Sequence, residues 1–169
     1  MELQSKIAYI SVFTAASISI FVVESYIPQP IPGIRLGLAN IFILLTIIYF
    51  GFKEGFLVGI LKSFMGSLLL GRLLSPSFLF SISGTIMSVI IMWLAIKFGK
   101  HISLLGISII GAEIHTITQI LLATILFFPE ASFIYLLPIY VLSALVAGSI
   151  TGTISYLLFT KLERKIEIA

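Results

Sequence analysis

Residues 78–96 read FLFSISGTIMSVIIMWLAI, a run of nineteen residues without a single charged side chain. A helix needs about 20 apolar residues to cross about 30 Å of hydrocarbon, so a run of this length predicts a membrane-spanning helix. Comparable runs lie on both sides of it, separated by short clusters that contain Lys, Arg, Gly or Pro. In total, six runs are predicted to span: Ile7 to Ile27, Leu36 to Phe52, Gly55 to Gly71, Phe78 to Ile96, His101 to Phe128 and Phe133 to Thr160.

The composition of the 169-residue chain leaves little material for a water-soluble domain. Hydrophobic residues make up 59% of it and charged residues 10%, whereas an ordinary globular domain carries about 25% charged residues. Backbone in lipid must satisfy its own hydrogen bonds, and no ten-residue alternating strands appear. We therefore expect an all-α integral membrane bundle of six transmembrane helices, folded as a single domain over residues 1–169. The second and third runs are short, so interior packing or flanking residues must compensate.

The distribution of Lys and Arg predicts how the bundle is oriented. Six crossings place both termini on one side, and the first run is too long for the core of a secretory signal. Seven cations lie at one set of helix ends and only Arg35 and Arg72 at the other; the seven are Lys6, Lys53, Lys97, Lys100, Lys161, Arg164 and Lys165. We expect a multi-pass protein of the plasma membrane with both termini in the cytoplasm. The net charge of +3 then reflects topology, not nucleic-acid binding.

Polar residues inside the spans concentrate in the half predicted to face outside. Glu24 and Asn40 lie about one turn below the outer ends of the first two helices, and Ser81 and Ser83 in the outer part of the fourth. Lys62 is about 15 Å deep, because each of the ten residues that separate it from Arg72 rises about 1.5 Å. The fifth helix carries Gln119, His115 and, deeper still, Glu113. This distribution predicts a polar pocket that opens outward.

Two interpretations are open for the ionisable residues in the spans. Such groups cost about 2.5 to 3.5 kcal/mol to insert, which favours a functional role. Lys62 and Glu113 could bind a ligand or an ion, or they could form a buried ion pair that fixes helix packing. His115 could contact a ligand or make an interhelical hydrogen bond. No metal site is predicted, because the chain has no Cys and Glu113 and His115 lack the spacing of a helical zinc site.

Small residues recur every four positions on three of the helices, a pattern that lets helix backbones approach closely in lipid. The third helix carries this pattern from Gly55 to Gly71, and the sixth at Ala144, Gly148 and Gly152. We interpret these two as bundle packing. A shorter stripe, Ser11, Ala15 and Ser19 on the first helix, either packs internally or docks another membrane protein.

Four segments of the chain carry a resemblance to a known family. Residues 24–40, ESYIPQPIPGIRLGLAN, closely resemble the signature of the Gx transporter family, whose members are often labelled heptaprenyl diphosphate synthase component I. Residues 62–68 and 80–84 resemble its third-helix and fourth-helix segments, although Arg is usual in place of Lys62. Residues 115–119 resemble its His-Asn-x-Gly-Gln segment, from which Thr116 and Thr118 depart.

The resemblance implies the architecture of the substrate-binding S components of energy-coupling factor transporters. Those proteins capture micronutrients from outside beneath the first loop and dock a transmembrane coupling subunit, itself joined to ATPases, through small residues on the first helix. On this basis Ser11, Ala15 and Ser19 would dock the coupling subunit, and no cofactor is expected. From the residues themselves, Lys62 and Arg35 suit an anionic group and the apolar surroundings suit an apolar body, so an isoprenoid-related, quinone-precursor or flavin-like molecule would fit. The expected substrate contacts are Glu24, Arg35, Asn40, Lys62, Ser81, Ser83, His115 and Gln119.

Two alternatives remain open. The inherited family label suggests an accessory subunit of a polyprenyl diphosphate synthase, but the chain contains no Asp to hold Mg²⁺ against a diphosphate. A Walker loop is also absent from the sequence, so the chain cannot hydrolyse ATP by that mechanism. We therefore expect no enzymatic activity. The other alternative is a solitary carrier that couples transport to an ion through Glu113.

Overall fold

The computed structural model describes residues 3–27, 37–99, 101–126, 135 and 137–168, with the backbone alone for 164–168. The all-α prediction is confirmed, because the regular structure in this part of the chain consists of six α-helices. They are α1 (Leu3–Glu24), α2 (Asn40–Phe50), α3 (Phe52–Leu69), α4 (Pro76–Phe98), α5 (Leu104–Leu126) and α6 (Leu137–Ile168).

The number of helices that could cross a membrane alone is smaller than expected. Among the described residues, four are long and apolar enough: α1, α4, α5 and the Leu137–Glu163 part of α6. The expectation of six such spans is wrong for α2 and α3. With 11 residues, α2 measures only about 16 Å at about 1.5 Å per residue. The 18-residue α3 includes three charged residues: Lys53, Glu54 and Lys62.

Instead of facing lipid, α2 is buried among the other helices. Ile43, Leu44, Leu45 and Thr46 are each at most 1% exposed. A helix that is apolar on every face is stable only where all faces are covered. Residues of α3, α4 and α5 cover one side of α2, and residues of α1 and α6 cover another. Of the two alternatives for the short second run, interior packing and extension by its flanks, interior packing is therefore the one observed for α2.

A one-residue turn joins α2 to α3 and sets their register. Gly51 has φ of 98° and ψ of −174°, a conformation that a residue with a Cβ rarely adopts. The two helices then run antiparallel, so that Gly55 packs against Ile47 and Gly59 against Ile43. The predicted close packing of α3 is thus observed, although Gly71 lies beyond the helix in a turn with φ of 64°. This register brings the beginning of α2 beside the middle of α3.

At one end of the bundle, the first residues of α1 and α3 lie together with the last turns of α2, α4 and α6. Lys6 at the start of α1 forms an ion pair with Glu54 at the start of α3, with 2.5 Å between Nζ and Oε1. Near the end of α2, Tyr49 stacks on Phe159 of α6 with ring centroids 5.5 Å apart. The ring centroid of Trp93 on α4 lies 5.1 Å from that of Phe52 at the start of α3. The predicted grouping of these helix ends is therefore observed, whereas which end faces the cytoplasm stays a prediction.

α5 packs between α4 and α6 through small residues. A Cβ added at Gly148 of α6 would lie 2.7 Å from the Cα of Ile109, so no larger residue fits there without a shift. The hydroxyls of Ser108 and Thr151 are hydrogen-bonded at 2.8 Å across the same interface. The close approach predicted for the small residues of the sixth helix is therefore confirmed.

Candidate ligand-binding site

A cavity between the helices collects polar side chains that are far apart in the sequence. Its wall draws on α1, the segment before α2, and each of α2 to α6. Six of the eight predicted substrate contacts line it: Glu24, Asn40, Lys62, Ser81, His115 and Gln119. Arg35 lies outside the described residues. Ser83 is only partly buried and is not part of the cavity wall.

Lys62 projects from α3 into the wall of the cavity and is 2% exposed. Its Nζ donates hydrogen bonds to Asn40 Oδ1 at 2.9 Å and to Thr85 Oγ1 at 3.1 Å. The ammonium also lies 5.6 Å from the ring centroid of Phe21, within range of a cation–π contact. The register of the α2–α3 hairpin places Asn40 here, so the turn at Gly51 helps to build the site.

Glu24 closes the end of the cavity near the first loop. The residue is 5% exposed, and its carboxylate accepts a hydrogen bond from the backbone N–H of Gly37 at 2.5 Å. Two turns earlier on α1, Ser17 donates to the carbonyl of Ala39 at 2.9 Å. These two bonds tie α1 to the segment that leads into α2. Glu24 therefore positions the chain around the cavity in addition to lining it.

His115 enters the cavity because α4 carries a glycine opposite it. A Cβ added at Gly84 would lie 2.9 Å from His115 Cδ2 and 3.0 Å from Nε2. Ser81, Gly84, Thr85 and Ser88 are buried on one stripe of α4. Ser83 is displaced from Ser81 by about 200° around the helix, because successive residues turn by about 100°. That rotation explains why Ser83 is not part of the cavity wall, a placement that does not support the prediction that it contacts substrate.

Several lining residues were missed by sequence reasoning. Toward the end of the bundle where Lys6 lies, the cavity wall continues through four side chains from α4, α5 and α6: Ser88, Met92, Ser108 and Thr151. On α4 the wall extends from Ser81 to Met92, about 16 Å along the helix axis. Helical spacing could have identified two of them from the sequence, because Ser88 and Met92 continue the stripe of α4 that contains Ser81 and Gly84.

Glu113 does not share the site. Both of its carboxyl oxygens are buried and have no hydrogen-bond partner in the described part of the chain, and the residue is not part of the cavity wall. The hypothesis of a structural ion pair between Lys62 and Glu113 is therefore wrong. Being two residues before His115 on α5, Glu113 points to a different side of the helix.

The cavity combines hydrogen-bond donors with an apolar wall, which suits binding more than bond-breaking chemistry. The wall includes the ammonium of Lys62, side-chain amides and several hydroxyls, together with the apolar side chains of Leu44 and Met92. No group of three or more His, Cys, Asp or Glu side chains that could hold a metal ion occurs among the described residues. Such a wall fits a small molecule with an anionic group and an apolar body.

A comparison with models of known protein families finds one that matches most of the chain. The model described as heptaprenyl diphosphate synthase component I matches residues 13–158. The chain belongs to this family. The matched region includes all eight predicted substrate contacts, and the resemblance seen in the four sequence segments is confirmed. No curated protein and no solved structure matches the chain significantly.

The small-residue stripe of α1 faces outward from the bundle. Ser11, Ala15 and Ser19 are exposed, whereas Phe13 and Ser17 on the opposite side of the helix are buried. Internal packing, one of the two interpretations of this stripe, is therefore wrong for the isolated chain. Docking of another membrane protein stays a prediction.

Proposed function

We propose that the protein is an S-component-like membrane subunit of an uptake transporter for a micronutrient or a precursor, and that it captures a small, partly anionic molecule from outside. The burial of Lys62 in a cavity lined by other polar groups carries this proposal. An ammonium inside a membrane costs several kcal/mol, so a protein retains it where it has a task. Binding an anionic group is the task that fits its surroundings.

The ligand's anionic group would contact Lys62, which also donates hydrogen bonds to Asn40 and Thr85. A carboxylate or phosphate there would accept charge-assisted hydrogen bonds, which are stronger than neutral ones. Ser81, His115 and Gln119 would contact other polar atoms. The apolar body would pack along Leu44 and Met92, as an isoprenoid-related, quinone-precursor or flavin-like molecule can.

In this proposal uptake draws its energy from partner ATPases, since the sequence has no Walker loop with which to hydrolyse ATP. The exposed stripe of Ser11, Ala15 and Ser19 on α1 would dock a transmembrane coupling subunit that is joined to ATPases. Small residues suit this contact because they allow two helix backbones to approach closely in lipid. The expectation that the first loop covers the ligand concerns residues 28–36, including Arg35, which lie outside the described residues.

A second candidate function follows from the description of the family. As component I of a heptaprenyl diphosphate synthase, the protein would be a non-catalytic membrane accessory subunit that handles the isoprenoid. The lack of Asp in the sequence favours a non-catalytic role, because prenyl transfer commonly uses clustered aspartates to bind Mg²⁺. The cavity could serve either function. The two candidates therefore differ in the proteins with which this chain would assemble.

Native mass spectrometry of the protein purified in mild detergent tests both candidates. For the transport subunit we expect a co-purified small anionic molecule, together with ATPases and a coupling subunit. For the accessory subunit we expect a soluble prenyl synthase instead. The Lys62→Met variant should lose the small molecule and Lys62→Arg should keep it. Wild-type protein that carries no small molecule and recruits neither set of partners would contradict both candidates.

A further inference from the structure

Glu113 lies well inside the membrane-spanning part of α5. It is nine residues from Leu104 and thirteen from Leu126, the ends of the helix, which correspond to about 13 Å and about 20 Å along the axis. Both carboxyl oxygens are buried, and neither has a hydrogen-bond partner among the described residues. An ionised carboxylate in such a place would lack the partners that stabilise a buried charge.

The position of Glu113 separates it from the ligand cavity. Ser108, Gly111, His115 and Gln119 of α5 line the cavity, and they repeat at the spacing of one helix face. Glu113 lies one turn after Ile109 instead, which packs against Gly148 of α6. The carboxyl group therefore has no contact through which a ligand in the cavity could neutralise it.

The charged and titratable groups of the helices packed against α5 lie elsewhere. On α4, Lys97 contacts the ring of Trp93 near the end of the helix. On α5 itself, the ring of His115 lies beside Gly84. On α6, the titratable side chains that the structure describes are Tyr140, Tyr156, Lys161 and Glu163. None of them is hydrogen-bonded to Glu113. No cation in the described part of the chain therefore compensates a negative charge at this position.

We propose that Glu113 is a proton-binding site, at which the carboxyl group holds a proton as long as α5 remains packed in the bundle. Binding forms one O–H bond with a proton from water, and release returns that proton to water when the group becomes exposed. The proposal does not depend on the proposed function, because it involves neither the cavity nor a transport partner. If the protein were instead a solitary ion-coupled carrier, the carboxyl group of Glu113 would be the group that binds the coupling proton.

Carbodiimide labelling followed by peptide mass spectrometry tests the proton directly. A protonated carboxyl adds its O–H across a C=N bond of the carbodiimide, and rearrangement to the N-acylurea retains all atoms of both reactants. We expect apolar dicyclohexylcarbodiimide to label Glu113 in the purified wild-type protein at neutral pH. A water-soluble carbodiimide with glycine ethyl ester should label the partly exposed Glu54 at least tenfold faster than Glu113. Comparable labelling of the two by the water-soluble reagent would overturn the proposal.

Infrared spectroscopy gives a second readout that does not require the reagent to reach the site. The wild-type protein should show a carbonyl band of a protonated carboxyl group at neutral pH, and the band should be lost in Glu113→Gln. Gln has nearly the same shape and no charge, so this variant should fold with an unchanged melting temperature. A wild-type spectrum without the band, or a band that persists in Glu113→Gln, would refute the proposal even if labelling were negative for steric reasons.

Discussion

Replacing Lys62 by Met removes the buried charge while retaining a long, unbranched side chain. The wild-type ammonium donates to Asn40 Oδ1 at 2.9 Å and to Thr85 Oγ1 at 3.1 Å. In the variant, Thr85 keeps its 3.1 Å hydrogen bond to Ser63, and Asn40 lines the cavity, where water can reach it. We therefore expect a loss of only about 1 kcal/mol in the free energy of unfolding.

The effect of the same variant on ligand binding should be larger. Loss of a charge-assisted hydrogen bond costs about 1.5 to 3 kcal/mol, which corresponds to a decrease in affinity of about tenfold to more than a hundredfold. Lys62→Arg should retain binding, since it preserves a cation at this position. The difference between the two variants isolates the charge from the volume of the side chain.

The assay compares the wild-type protein with Lys62→Met and Lys62→Arg at equal concentration. Native mass spectrometry gives the fraction of each protein that retains its small molecule, and thermal unfolding on the same samples gives stability. The double variant Lys62→Met with Glu113→Gln should be no more stable than Lys62→Met alone, because these residues do not form an ion pair. A well-folded Lys62→Met protein with unchanged ligand occupancy would refute the role assigned to Lys62.

Three further predictions concern docking, topology and the shape of the cavity. Ala15→Trp should block co-purification of the coupling subunit while ligand occupancy is retained, and normal co-purification would assign the α1 stripe to another role. Single cysteines in this Cys-free chain should be labelled from outside in place of Arg35 and not in place of Lys53; the reverse pattern would invert the topology. Gly84→Val should displace His115 and lower ligand occupancy at a stability cost of about 1 to 3 kcal/mol, whereas Ser83→Ala should bind normally. Equal occupancy in both of these variants would argue against the placement of His115.

The helical character of the protein and its membrane location followed from the sequence alone, because lipid cannot satisfy backbone hydrogen bonds. An apolar run such as residues 78–96 must then form a helix whatever its neighbours are. The polar residues of the cavity could also be recognised in advance, since Lys62 and His115 are costly in lipid and must face the protein interior. Helical spacing could further have separated Ser81 from Ser83, a distinction available without coordinates.

Tertiary packing decided which side of each helix faces which neighbour. The short α2 reads as a membrane span in the sequence, yet four of its residues are almost completely buried because the surrounding helices cover it. The turn at Gly51 places Asn40 opposite Lys62, 22 positions away in the sequence, whereas Glu113 is left without a partner among the described residues. Hydrophobicity determines that a segment enters the membrane, but the choice of partner for a buried charge depends on the rotation and register of helices, which only their mutual packing sets.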